Sequence, residues 1–250
     1  MNIEVPSSSL SSQQVSGAPP IDRRRAAVEL MAFGGLALIL RIALDPLFWR
    51  FAGPVSLVAT LACLAIYLYL RDEDWSSMGL ASLRGVKARL LILPQAMLVF
   101  AFFAVAVASV LHGADALGWT FMKAVPQGVE ERWGDVQGNL PMLLVWLGIV
   151  WTAAAFGEEL FFRGFLITRA SALFRGVPLA PAFAVLLPAL LFGLGHFYYQ
   201  GLRGLMMTTA IGVAFGAAFV LLKRNLWPLV LVHGAIDTIN FIALYLGLEN

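Results

Sequence analysis

The chain has 250 residues, of which 60% are apolar and only 13% are charged, and its mean hydropathy is +0.82. A soluble domain carries about a quarter of its residues charged, so this composition excludes a soluble globular protein. A single cysteine excludes an intrachain disulfide framework and a cysteine-rich zinc module, and a net charge of +2 excludes a nucleic-acid-binding footprint. The chain is predicted to be an all-α, polytopic membrane helix bundle.

Residues 1–25 are rich in Ser, Gln and Pro and lack the apolar core of a secretory signal peptide. They are predicted to form a disordered tail that ends in three arginines. A transmembrane helix needs about 20 mostly apolar residues, and about seven segments meet this requirement. These segments are 27–46, 53–70, 90–112, 140–168, 179–199, 204–222 and 226–247.

The distribution of basic residues predicts the orientation. Lys and Arg accumulate on the cytoplasmic side of membrane proteins, and a cytoplasmic N-terminus places most of the 17 basic residues of this chain on that side. We therefore expect an integral multi-pass protein of a bacterial plasma (inner) membrane with its N-terminus in the cytoplasm. The outer segment 113–139 combines four acidic residues with Trp133, and is predicted to be a solvated connection.

Ionisable residues at membrane depth are the main functional signal. Each costs about 2.5–3.5 kcal/mol on insertion scales, so such residues usually face a protein-lined or watery cavity. In this chain they cluster in the last four predicted spans. They are Glu158, Glu159, Arg163, His196, His233 and Asp237.

The spacing of these residues predicts different environments for the two glutamates. Glu159 and Arg163 are four residues apart, so they share a helix face and can neutralise each other. Glu158 points about 100° away from Glu159 on an α-helix and has no arginine at that spacing. Its carboxylate is therefore expected to be free to act as a general base.

Helix geometry also predicts which groups converge. If the turn between the fourth and fifth spans lies near 177–178, Glu158 and His196 are equally far from it and are expected to meet. His233, Asp237 and Asn240 follow spacings of four and three along one face of the last span. A Glu–Arg pair or a lone histidine within a span is often structural, but convergence of the whole set at one depth has few architectural explanations.

Three short strings resemble known motifs. EELFFR at 158–163, FGLGH at 192–196 and HGAID at 233–237 are similar to the EExxxR, FxxxH and HxxxN/D motifs of the CPBP family. This family comprises the CAAX prenyl protease-like and bacteriocin-processing intramembrane proteases. The resemblance covers about residues 139–248, which it implies to be a catalytic membrane domain, and residues 26–138 would be a transmembrane lead-in.

The resemblance implies a role for each motif residue in the first two strings. Glu158 would be the general base that activates a water molecule together with His196. Glu159 and Arg163 would support the helix that carries Glu158, and Phe192 is the aromatic residue of the second motif.

For the third string, the resemblance implies that His233 and Asp237 stabilise the developing oxyanion. The best-studied family members have Asn at the position of Asp237, and an ionised Asp accepts hydrogen bonds rather than donating them. We therefore favour an interpretation in which Asp237 orients His233 and the imidazole donates to the oxyanion. Asn240 is a further candidate for this supporting role.

The sequence leaves the cofactor open. No HExxH string is present, and the resemblance favours a Glu/His-activated water, so we prefer a site without metal or other cofactor. Zinc is the alternative, and its ligands would then be Glu158, His196 and His233.

The resulting interpretation is an intramembrane endopeptidase, a hydrolase acting on a membrane-associated, lipidated or leader-bearing protein. The expected partners are a membrane protein or peptide substrate and the lipid bilayer, with no nucleic acid, and the oligomeric state is left open. Two alternatives remain. An ion- or proton-coupled transporter would use the same charges as a path, although no internal repeat is visible. A catalytically silent scaffold or immunity-type partner would tolerate loss of Glu158.

Overall fold

The computed structural model describes residues 21–80, 82–83 and 85–248. Within these residues every regular element is helical, as the composition predicted. The main helices are α1 (Arg23–Phe48), α2 (Ala52–Leu70), α3 (Val86–Ala116), α4 (Gln127–Trp133), α5 (Leu140–Leu173), α6 (Ala180–Leu221) and α7 (Trp227–Leu246). All of them except α4 are long and apolar enough to cross a membrane.

Helix α6 is interrupted at Gly201. Its 42 residues would extend for about 63 Å if straight, roughly twice the thickness of a bilayer core. Gly201 has φ 59° and ψ −152°, a conformation that is essentially restricted to glycine. The helix therefore consists of two segments, α6a (180–200) and α6b (202–221).

Close glycine contacts show that α6a and α6b run antiparallel. A Cβ atom at Gly212 would lie 3.0 Å from Ala189, and one at Gly216 would lie 2.7 Å from Val185. In each pair the two residues are almost equally far from Gly201 along the sequence, so the chain reverses direction at Gly201. The six long helices thus supply seven segments that are long enough to cross a membrane, the number that the apolar runs predicted.

Helix α5 lies in the middle of the bundle. It packs against α1, α2, α6 and α7, and these contacts bury most of its C-terminal half. Phe162 of α5 packs against Phe192 of α6a with ring centroids 5.0 Å apart. Because these two residues are equally far from position 177, the predicted register of the α5–α6a hairpin is confirmed.

Helix α1 begins at Arg23, so the three arginines that were predicted to end the tail are part of a helix. Residues 1–20 of that tail lie outside the described residues. The start of α1 is fixed to α5 by the buried Glu29, which pairs with Arg169 and accepts a hydrogen bond of 2.6 Å from Tyr67. The N-terminal helix is therefore an integral part of the bundle.

The segment 113–139 is not merely a solvated connection, and that prediction was wrong. Helix α4 and the turn that follows it pack against the ends of α6a and α7, where Trp133 contacts Tyr199 and Phe241. Arg132 is only 6% exposed. Aromatic residues in this segment supply enough apolar contact area to fold it onto the bundle despite its acidic composition.

Gly201→Ala should destabilise the protein, because alanine cannot adopt the backbone conformation at the reversal without strain. The expected loss in the free energy of unfolding is about 1–3 kcal/mol, measured by denaturant titration in detergent micelles. No heavy atom lies within 4 Å of a Cβ at Gly201, so the loss would come from the backbone alone. The matched control is Gly34→Ala, at a helical glycine with equally open space, which should not destabilise the protein. Equal stability of the Gly201→Ala variant and wild type would contradict this account of α6.

Candidate active site

The two glutamates lie on an unusually wide part of α5. Residues Val150–Leu166 form a π-helix, in which each backbone N–H bonds to the carbonyl five residues earlier, as Ile167 does to Phe162. A π-helix has more residues per turn than an α-helix, so adjacent side chains diverge by less than about 100°. The smaller angle explains why Glu158 and Glu159 both approach His233 of α7. The α-helical geometry assumed from the sequence did not predict this shared approach.

Glu159 and Arg163 form a fully buried ion pair, as their spacing predicted. Arg163 Nη1 lies 3.0 Å from Glu159 Oε1, and the side chains are 2% and 0% exposed. The Arg163 guanidinium also lies over the rings of Phe192 and Phe215, at 4.7 and 5.3 Å from their centroids. These rings exclude solvent from the pair and fix the position of the guanidinium.

His233 of α7 lies among three carboxylates. Its Nδ1–H donates to Glu159 Oε1 at 2.8 Å, and its Nε2 is 3.4 Å from Asp237 Oδ2 and 3.9 Å from Glu158 Oε2. The shortest contact therefore comes from Glu159, whereas the sequence favoured Asp237 as the residue that orients this imidazole. Glu159 thus links Arg163 and His233, and fixes the ring so that Nε2 faces the gap between Glu158 and Asp237.

Glu158 is the least restrained carboxylate of α5. Its side chain is 22% exposed, and within the described part of the chain its nearest charged partner is the 3.9 Å contact with His233. That distance is too long for a hydrogen bond. A carboxylate held beside an imidazole but not bonded to it can accept a proton from an incoming water molecule.

His196 of α6a is oriented by its own helix. Its Nδ1–H donates to the carbonyl oxygen of Phe192 at 2.9 Å, so in the neutral ring Nε2 is the free acceptor. The imidazole packs against Phe192 and Tyr199 with centroid distances of 4.6 and 5.8 Å. Phe192 thus separates His196 from Arg163. The register places His196 at the level of Glu158, and a direct contact between them stays a prediction.

Asn240 is not part of the cluster. It lies on α7 beyond Asp237, as its spacing requires, but its side chain is exposed. Phe192, by contrast, has a more central position than the motif alone indicated, because its ring and its carbonyl group contact both Arg163 and His196. Helix spacing correctly identified which residues share a face but could not show which face is covered by a neighbouring helix.

Arg132 also belongs to this region, although it is not among the residues predicted for the site. Its guanidinium lies 4.7 Å from the ring of Tyr199, which in turn contacts His196. Burial lowers the pKa of Arg132, and the charges of Tyr199 and Glu158 act in the opposite direction. The adjacent Trp133 was the available sequence signal, since a large aromatic side chain gains free energy when it packs against the protein.

An apolar groove lies between α3, α5 and α7. Its volume is about 550 Å³, and it is lined by Ile92, Trp151, Thr152, Phe156, Trp227, Val230 and Leu231. Trp151 packs directly on Gly234, where an added Cβ would come within 2.6 Å of the indole ring. One wall residue of the groove therefore contacts the residue that follows His233.

The cluster is a poor fit to a zinc site. Within the described residues, no three His, Cys, Asp or Glu side chains are arranged to hold a metal ion. His233 Nδ1 is bonded to Glu159, and His196 Nδ1 is bonded to a backbone carbonyl. The Nε2 atoms of the two imidazoles remain as possible metal ligands, and they lie on different helices, α6a and α7.

Comparison with known proteins supports the resemblance carried by the three motifs. Residues 140–239 match the family model described as type II CAAX prenyl endopeptidase Rce1-like. This match contains all three motifs and confirms the CPBP-type resemblance over that segment. No curated protein and no solved structure matches the chain. At the level of the family, the chain is similar to peptide hydrolases, and its long apolar helices make it an integral multi-pass membrane protein.

Arg163→Met should strongly destabilise the protein, because it leaves Glu159 buried without its guanidinium partner. Removing one member of a buried ion pair costs about 3–5 kcal/mol, which would lower the midpoint of unfolding in detergent. The matched control is Lys123→Met, which breaks an exposed pair with Asp115 and should leave the midpoint unchanged. If the Arg163→Met and Lys123→Met variants unfolded at the same midpoint, the buried pair would not stabilise the site.

Proposed function

We propose that this protein is an intramembrane endopeptidase that hydrolyses a peptide bond of a membrane-associated protein with a water molecule activated by Glu158 and His196. The observation that carries the proposal is the arrangement of three carboxylates around His233, with Arg163 neutralising one of them. Charged groups within a membrane cost free energy, and a purely structural ion pair would need only Glu159 and Arg163. The additional carboxylates of Glu158 and Asp237 therefore support a functional role.

In the first step, water binds near the Glu158 carboxylate. Glu158 accepts a proton from this water, and His196 Nε2 is the acceptor available for its second hydrogen, because His196 Nδ1–H is already donated to Phe192. The water oxygen then attacks the carbonyl carbon of the substrate peptide. The result is a tetrahedral intermediate with a negatively charged oxygen.

In the second step, His233 stabilises that oxygen. Glu159 accepts the hydrogen bond from Nδ1–H, so a second proton on the ring lies on Nε2. This nitrogen faces the space near Glu158. The Nε2–H group can donate to the oxyanion, and Asp237 steadies the same edge of the ring. Glu158 then returns its proton to the amide nitrogen, the oxyanion re-forms the C=O double bond as the C–N bond breaks, and an amine and a carboxylic acid are released.

The surroundings support a substrate that enters from the lipid. The apolar groove lined by Trp151 and Phe156 suits an apolar chain, whether a lipid group or a leader segment, and its wall residue Trp151 packs on Gly234. We further propose that the N-terminus is cytoplasmic and that the membrane is a bacterial plasma membrane. The excess of Lys and Arg on the inner connections supports this orientation.

Glu158→Gln should abolish hydrolysis and leave the fold intact, because it removes the proton acceptor while keeping the shape of the side chain. We expect membrane proteomes of cells that carry this variant to retain full-length substrates that wild-type cells cleave. The expected fall in the cleavage rate is at least about 100-fold, the typical contribution of a general base.

The matched control for this experiment is Glu130→Gln, the same change at an exposed glutamate of the outer segment. It should leave the proteome unchanged. Cleavage that persists in the Glu158→Gln variant would contradict the proposal and favour a silent scaffold. Ion or proton flux through wild-type vesicles, without any cleavage, would instead favour a transporter.

Chelation of zinc should not inhibit the enzyme if water is activated by Glu158 and His196 alone. Purified active protein is expected to contain no stoichiometric zinc by elemental analysis, and to keep its rate after incubation with 1,10-phenanthroline. Loss of activity on chelation, with recovery on addition of Zn²⁺, would overturn the metal-free mechanism. The peptidase assignment itself would then stand with Glu158, His196 and His233 as ligands.

A further inference from the structure

Arg224 is a half-buried cation without an anionic partner. It lies in the turn between α6b and α7, and its Nη1–H and Nη2–H groups donate to the hydroxyl oxygens of Thr168 and Ser171 at 3.4 and 3.1 Å. Both acceptors are neutral. Burial lowers the pKa of Arg224, and among the described residues no carboxylate opposes this effect. A guanidinium held away from water costs free energy unless an anion compensates for its charge.

The carboxylates at this end of α5 are already paired with other arginines. Arg169 binds both Glu29 and Glu73, and Arg25 of α1 binds the same two side chains. Two positive and two negative charges therefore balance within that group. Neither glutamate is left to compensate for the charge of Arg224.

The turn that carries Arg224 is held in an unusual conformation. Lys223 and Arg224 have φ values of 54° and 62°, which residues other than glycine rarely adopt. Three hydrogen bonds hold the turn in this conformation, from Arg224 N–H to Phe219 O at 2.8 Å, from Leu226 N–H to Gly79 O at 3.0 Å, and from Asn225 Nδ2–H to Gln95 Oε1 at 2.9 Å. Strained backbone of this kind is frequent at ligand-binding sites. The turn thus directs the Arg224 side chain towards α5.

The site lies where the apolar surface of α6b ends. Val220 and Leu221 are 40% and 61% exposed, as expected for side chains that face acyl chains of the membrane. Lys223 follows them and is also exposed. Exposed apolar side chains followed directly by two cations match the order of acyl chain and phosphate along a phospholipid molecule.

We infer that Arg224, with Thr168 and Ser171, binds a phosphate group, and that this phosphate belongs to the headgroup of an anionic membrane lipid. A planar guanidinium matches the oxygens of a phosphate, and its remaining N–H groups have no acceptor among the described residues. An anionic lipid fits better than a zwitterionic one, because no free carboxylate is present to receive the cationic part of a zwitterionic headgroup. The bound lipid bridges α5 and the start of α7, the helices that carry Glu158 and His233. The inference does not depend on the peptidase function.

The test measures the Tm of the purified full-length protein in detergent with three probes: phosphatidylglycerol, phosphatidylcholine and inorganic phosphate. Phosphatidylglycerol at about ten times its Kd should raise Tm by about 3–6 °C, the shift that binding to the folded state alone produces in a chain of this size. Phosphatidylcholine has the same phosphate but no net charge. This lipid and inorganic phosphate, at the same concentration, should leave Tm within about 1 °C of its value without a probe.

Arg224→Gln should abolish the shift caused by phosphatidylglycerol. It should also weaken binding of this lipid, measured by native mass spectrometry, by at least about 10-fold, as expected for loss of a charge-assisted hydrogen bond. Arg224→Lys keeps the charge but loses the planar guanidinium, so it should retain only part of the shift. The matched control is Lys87→Gln, which removes an exposed positive charge near the start of α3 and should keep the wild-type shift.

A merely structural role for Arg224 predicts a different result. The Tm of Arg224→Gln would then fall by the same amount with and without lipid, and an unchanged shift in this variant would overturn the inference. The wild-type protein can also overturn it, even if Arg224→Gln does not fold. No shift with phosphatidylglycerol, or equal shifts with phosphatidylglycerol and phosphatidylcholine, would exclude a site for an anionic lipid. An equal shift with inorganic phosphate would assign the site to a free phosphate and overturn the lipid assignment.

Discussion

The structure depends on one buried interaction, in which Glu159 is shared between Arg163 and His233. The arginine compensates for the charge of Glu159, and the second contact of that carboxylate ties α7 to the centre of α5. A hydrogen-bonded ionic group of this kind tolerates a low dielectric only when each member keeps its partner. The same contact therefore stabilises the bundle and fixes the orientation of His233.

This arrangement leaves Glu158 available for chemistry. The carboxylate of Glu159 binds both the Arg163 guanidinium and the His233 Nδ1–H group. Glu158 therefore lies near His233 without a hydrogen bond to it. The π-helix makes this possible, because it brings two consecutive glutamates towards the same helix. Irregular helical geometry at this position is consistent with a functional constraint, since a regular α-helix would direct the two side chains further apart.

The number of long helices and the Glu159–Arg163 pair could be predicted from the sequence, because both depend on residues that are close together along the chain. Apolar runs gave the number of crossings, and the spacing of four gave the Glu159–Arg163 pair. The shared use of Glu159 by His233 could not be predicted, since it depends on the π-helix and on how α7 is rotated against it. Arg132 was also missed, because its burial results from tertiary packing of the short helix α4, which composition does not record.

The most direct test of the central claim is a double-mutant cycle between Glu159 and His233. The free energy of unfolding would be measured in detergent for Glu159→Gln, His233→Gln and the double variant. If Glu159 links the two helices, the effects will be non-additive, with a coupling of about 1 kcal/mol or more. Effects that add within about 0.5 kcal/mol would show that the two side chains act independently, and would contradict the account of the site given by this structure.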